Sequence, residues 1–150
     1  GSLSYHQRNG RCVYCDIITR EGELRDRVVA ENEHFVAFCP FASLFSFETW
    51  IVPKRHVARY ENSSAEFSAL AALLSESIRR LNAVLDEPDY NYVIHTSPLR
   101  EEGLAHYHWH LELIPKVSQV AGFEWGSGFY INPTPPEEAA ASLRNAAIDK

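Results

Sequence analysis

No apolar run in the 150 residues approaches the roughly 20 needed to cross a bilayer. The opening GSLSYHQRNGR has no apolar h-region, so nothing points to secretion, and no membrane partner is expected. Basic charge is also short. Fourteen Lys and Arg face twenty Asp and Glu, a net charge of −6. That argues against a broad electrostatic grip on nucleic acid, yet it leaves room for a small phosphorylated ligand held by a few local groups. Cysteine is scarce and odd in number, at three. Without a signal sequence this suggests a reducing, cytoplasmic location, where a close pair is a metal clip or redox site rather than a structural disulfide. Internal repeats and low-complexity linkers are absent. What remains is 45% hydrophobic and 23% charged, a globular profile of a length that suits one domain over 1–150.

Short β-branched or aromatic runs bounded by turn residues read as strands at 27–31, 34–40 and 47–53, with Glu-Asn-Glu at 31–33 as a hairpin turn. Residues 64–86 read as a long helix. Phe67, Leu70, Leu74, Ile78, Leu81 and Leu85 recur at spacings of three and four, Ser63 or Ser64 can cap it, and Pro88 bars continuation. Further strands are expected at 90–97, 107–115 and 128–132. A C-terminal helix is expected after Thr134-Pro-Pro-Glu137, which combines a cap, prolines and a capping-box glutamate. The predicted class is α+β, a mostly antiparallel sheet with one long helix packed on it.

The stretch HYHWHLE, 106–112, alternates imidazoles with apolar side chains. On a strand, side chains two apart share a face, about 6.6 Å from one another. His106, His108, His110 and Glu112 then point one way, and Tyr107, Trp109, Leu111 and Leu113 point into the core. Cys12-x-x-Cys15 has the spacing that lets two thiolates reach one tetrahedral zinc, with His56 and a histidine of the 106–110 run as candidate partners. A redox pair and two unrelated buried cysteines are the alternatives. Cys39 lies within a predicted strand and reads as a core residue. Lys54, Arg55 and Lys116 could meet phosphates.

His108-Trp-His110-Leu-Glu112-Leu-Ile-Pro115 resembles the signature of the histidine triad superfamily, and Trp50-Ile-Val-Pro-Lys-Arg-His56 resembles a strand-and-histidine segment of the same fold. Together with Cys12-x-x-Cys15, Pro40-Phe-Ala, Tyr90-Asn-Tyr-Val-Ile-His-Thr-Ser-Pro98 and Gly122-Phe-Glu-Trp-Gly-Ser-Gly-Phe-Tyr-Ile-Asn-Pro133, the chain is similar to the C-terminal half of galactose-1-phosphate uridylyltransferase-like proteins, nearest the ADP-glucose phosphorylase branch. The resemblance implies a histidine triad-like domain, one half of a tandem pair, and the chain's start just ahead of the cysteine pair is read as the start of that half. It implies a nucleotidyltransferase acting on nucleotide sugars and hexose 1-phosphates, working as a homodimer or beside an N-terminal histidine triad domain.

By the same resemblance, Cys12, Cys15, His56 and His108 are the zinc ligands and His110 falls at the nucleophile position. Gln119, Val120, Ala121, Gly122, Phe123 and Glu124 match a stretch that contacts the nucleotide sugar. In uridylyltransferases proper, the histidines matching His95, His108 and His110 surround a second metal. Glu112 stands where active members carry His or Gln, a departure that speaks against autonomous catalysis. A neutral imidazole suits such transfer because it attacks phosphorus without adding negative charge, and a covalent intermediate splits the reaction into two steps. Two other readings stay open: a non-catalytic zinc-stabilised binding or assembly module, and a stand-alone nucleotide hydrolase using His110.

Overall fold

The computed structural model describes residues 1–101, 103–117, 122–129 and 131–149. Five strands form one antiparallel sheet: β1 (Val28–Glu31), β2 (Phe35–Phe38), β3 (Thr49–Pro53), β4 (Tyr90–His95) and β5 (His110–Pro115). Their spatial order is β1-β2-β3-β5-β4, so β5 inserts between β3 and β4, pairing Trp50 with Glu112 and His95 with His110. The α+β class and the antiparallel sheet are as the sequence predicts.

One sheet face carries Phe35, Ala37, Ile51, Trp109, Leu111 and Leu113. It packs against Leu70, Leu73 and Leu81 of α3 (Phe67–Leu85) and against Ala139, Ala140 and Leu143 of α5 (Pro136–Arg144). Trp109 is fully buried, and its Nε1–H donates to Ser63 Oγ at 2.8 Å, satisfying the only polar atom of its ring. The hairpin between β1 and β2 is closed by Asn32, whose Oδ1 accepts from the backbone N–H of His34 and Phe35.

Several local expectations are corrected. The long helix starts at Phe67 rather than 64, because Tyr60–Glu66 winds as a 3₁₀ turn. Neither Ser63 nor Ser64 caps it; the N-cap is Glu66, without a side-chain cap bond, and Ser63 serves Trp109 instead. The helix buries Leu70, Leu73, Ser77 and Leu81, so the apolar stripe has the predicted period with its centre turned toward 73 and 77. Thr134 does not cap the last helix, whose N-cap is Pro135; its hydroxyl donates to Ser46 Oγ. Among the described residues of 128–132 there is no strand, and Phe129 and Ile131 are exposed. A short α4, Gly122–Ser127, precedes them.

The sequence reading missed two helices at the start, α1 (Ser2–Asn9) and α2 (Val13–Leu24). Tyr14, Ile17, Ile18 and Leu24 do carry helical spacing, but β-branched residues and Gly22 weaken the local propensity. Packing overrides that weakness: Ile17 and Ile18 cover the second sheet face, formed by Val28, Val36, Phe38, Val52 and Trp50. Buried Arg27 fastens α2 further, pairing with Glu21 and with Glu137 of α5 at 2.9 and 2.7 Å.

Candidate metal centre and histidine face

The alternation along 107–113 is as expected, but its polar side does not meet water. Trp109, Leu111 and Leu113 line the core, while His108 and His110 lie buried beneath α2. The reason is Cys12 and Cys15, on the N-cap and in the first turn of that helix, which bring it against the histidines.

Just before β5, the backbone N–H of Trp109 donates to the Val57 carbonyl at 3.0 Å, which sets the β5 approach beside the turn carrying His56. His108 Nε2 lies 2.8 Å from the Pro53 carbonyl, so this nitrogen donates and Nδ1 keeps its lone pair. That lone pair faces Cys15 Sγ at 3.5 Å and Cys12 Sγ at 3.9 Å, and Cys15 Sγ lies 3.3 Å from His56 Nδ1. The ligand atoms of Cys12, Cys15, His56 and His108 all fall within 4.8 Å of one another, a group that could hold a metal ion. These are the four residues expected from the sequence. Burial lowers the His108 imidazole to about 4, and burial also lowers His56, so both rings are neutral and able to ligate. Burial, then the neighbouring Cys12, pushes the metal-free Cys15 thiol up to about 12.

His110 sits on the same sheet face, one pleat further. Its Nδ1–H donates to the His108 carbonyl at 3.1 Å, which leaves the lone pair on Nε2, the tautomer a nucleophilic imidazole needs. Three rings wall it in: His95 stacked at 4.7 Å, Tyr14 at 4.8 Å and Trp50 at 4.9 Å, leaving the residue 5% exposed. His95 Nε2 donates to Glu112 Oε2 at 2.8 Å. Beside them Glu48, 2% exposed, is pushed up to about 8 by burial and by the adjacent Glu112. Burial pulls Glu112 upward as well, but Glu48 and His95 outweigh it and hold Glu112 below its usual value. Sequence reasoning missed Glu48 and Tyr14. The available signals were that Glu48 falls within the strand expected at 47–53, two residues before Trp50, and that Tyr14 lies between the two cysteines.

Other expected residues fall elsewhere. Cys39 is a core residue, its thiol pushed up to about 12 by burial. Lys54 pairs with Glu31 and Arg55 with Glu66, so neither side chain points into the histidine face. His106 lies beside His6. Gln119, Val120 and Ala121 lie outside the described residues, as does the side chain of Phe123. Gly122 starts α4, and Glu124 accepts a bond from the Ile131 N–H at 2.8 Å.

This arrangement of sheet and helices is a histidine triad-like fold. A zinc-bound histidine triad family protein of Mycobacterium smegmatis superposes with a TM-score of 0.61 over 96% of this chain and 93% of its own, at 22% identity. More specifically, the family described as galactose-1-phosphate uridyl transferase, C-terminal domain, matches residues 2–146, and the chain belongs to that family. It is 37% identical to the ADP-glucose phosphorylase of Arabidopsis thaliana over 99% of this chain and 42% of that protein. It is 33% identical to the galactose-1-phosphate uridylyltransferase of Thermotoga maritima over 97% and 48%. The crystal structure of the Arabidopsis thaliana ADP-glucose phosphorylase with bound ADP-glucose superposes with a TM-score of 0.88, covering 98% of this chain and 47% of that one. The chain therefore spans about half the length of the curated relatives it matches. No helix among the described residues is long and apolar enough to cross a membrane.

Proposed function

We propose that this chain is the zinc-binding, substrate-binding C-terminal half of a cytoplasmic nucleotidyltransferase acting on nucleotide sugars and hexose 1-phosphates. The observation that carries the metal part is the closed Cys12–Cys15–His56–His108 cluster. A tetrahedral zinc with bonds of about 2.3 Å to sulfur and 2.0–2.1 Å to nitrogen separates sulfur from nitrogen by about 3.6 Å. The sulfur–nitrogen distances of 3.3, 3.5 and 3.9 Å in the cluster bracket that value. Four protein ligands leave no position for water, so the ion ties α2 to the histidine strand and supplies folding free energy rather than a reactive hydroxide.

His110 has the tautomer of a nucleophile but is enclosed, and Glu112, two residues on along the same face, is a carboxylate bonded to His95. Both facts favour a half that binds substrate through Gln119–Glu124 while a companion histidine triad unit performs the transfer. The companion, an N-terminal domain or a second copy, has a surface to meet. Strand β4 is the edge of the sheet among the described residues and exposes Tyr90, Tyr92 and Val93, a surface suited to such a contact. The relatives named for ADP-glucose and galactose 1-phosphate chemistry supply the substrate class.

Titration of the zinc-loaded chain with ADP-glucose and UDP-glucose by calorimetry tests the reading. Saturable binding that weakens about tenfold or more in Glu124→Ala, with no acid-labile label left on protein by radiolabelled nucleotide sugar, is expected. Label lost in His110→Ala would instead favour the stand-alone hydrolase. Neither binding nor label would favour the assembly module.

A further inference from the structure

Tyr14 is the residue between the two cysteines, and its place has a consequence for His110. Its ring stands 4.8 Å from the His110 ring, inclined by 33°, and 6.1 Å from that of His108. Trp50 closes a second side and His95 a third. Trp50 and His95 sit on β3 and β4, fixed by the sheet ladder. Tyr14 alone comes from outside the sheet, on the first turn of α2. That turn begins at Cys12 and ends at Cys15, whose sulfurs face His56 and His108 across the cluster. The rest of the helix is held independently, by Ile17 and Ile18 on the sheet and by Glu21 on Arg27. Within the first turn Asp16 is also held, by Tyr5 and Arg11, so what the cluster itself fixes is the cysteine end of the turn that carries Tyr14.

We propose that the metal clip works as a latch on His110: occupancy of the four-residue cluster holds Tyr14 over the ring and bars it from electrophiles, and emptying the cluster opens the way to Nε2. The inference rests on the zinc reading above and deepens it, because it gives the ion a task on this chain's own imidazole. It also accounts for a histidine with a nucleophile's tautomer that is kept shut. Tyr14 contributes through ring area, so its hydroxyl is dispensable.

Diethyl pyrocarbonate reports the latch without any enzymatic turnover. A neutral imidazole nitrogen attacks one of its carbonyls, forms the carbethoxy-imidazole and releases ethyl carbonate, which decomposes to ethanol and carbon dioxide. Site-resolved mass spectrometry gives each histidine's rate, with exposed His34 as the internal standard. In zinc-loaded protein His110 should label at least about tenfold more slowly than His34, since reaction must await local opening. Tyr14→Ala with full zinc content should bring His110 within about threefold of His34, while Tyr14→Phe stays protected. Chelation of the wild-type chain should expose His110 and restored zinc should close it, with amide protection of β2 and β3 unchanged. The latch is overturned if His110 is fast in zinc-loaded wild-type protein, if zinc-loaded Tyr14→Ala stays as slow as wild type, or if chelation changes His110 no more than His34. Should Tyr14→Ala not fold, Tyr14→Leu, which keeps apolar bulk without the flat ring, gives the same comparison. Metal analysis separates the failures: a chain without zinc defeats the zinc reading, whereas a zinc-loaded chain with an open His110 defeats the latch alone.

Discussion

Zinc affinity should rise with pH, and the structure says which groups set the slope. The His108 imidazole titrates near 4, and burial also places His56 below its ordinary value near 6.5. Between pH 6.5 and 8 the His108 ring is neutral before the ion arrives and has no proton to give up, and the lowering of His56 reduces the share of that ring that is charged. The Cys15 thiol is the opposite case. It is raised to about 12, so it enters as a neutral thiol and must lose its proton to bind. Each proton lost on binding makes the dissociation constant fall about tenfold per pH unit, so Cys15 alone sets a minimum slope of about ten per unit. Competition against a fluorescent chelator across this range gives the slope, and calorimetry in two buffers of different ionisation heat counts the protons. Cys15→Ser should weaken binding and lower the slope by one proton. An affinity flat between pH 6.5 and 8, or a slope unchanged in Cys15→Ser, would refute the assignment of the thiolate to the ion.

Three other expectations concern the fold around the site. In the metal-free chain the depressed His108 value contributes stability that is present above pH 6.5 and lost as pH falls toward 4, about 3 kcal/mol in all; the unfolding free energies of wild type and His108→Gln from urea denaturation should converge by that amount over this range. Trp109→Ala removes the largest buried ring and strands Ser63, and should cost about 3–5 kcal/mol in urea denaturation. Arg27→Met leaves Glu21 buried without its partner and should cost about 3–5 kcal/mol, whereas adding Glu21→Leu should recover most of it; equal stability of single and double variants would show the pair is not coupled.

Much of the site could be read from the chain because strand geometry is local. Period-two alternation over 107–113 put the histidines opposite Trp109, Leu111 and Leu113, and the two-residue cysteine spacing offered a metal clip beside a redox pair and two unrelated cysteines. Helix ends were less legible. Whether Ser63 caps a helix or serves Trp109 Nε1 is a competition between a local and a distant partner, and the distant one won. The same holds for Thr134, taken up by Ser46 across the fold.

Residue order alone determined the class, the antiparallel sheet, the long helix and the cysteine pair, since each follows from spacing within a single segment, whereas the choice of His56 and His108 as that pair's partners came from the family resemblance. Only the tertiary structure decided that α2 lies over the histidine face, that His110 is walled by Tyr14, Trp50 and His95, and that Glu48 joins Glu112. Those contacts link residues far apart in sequence, with weak local helix propensity around Cys12. They exist because burying Ile17 and Ile18 and gathering two sulfurs against two imidazoles outweigh that propensity.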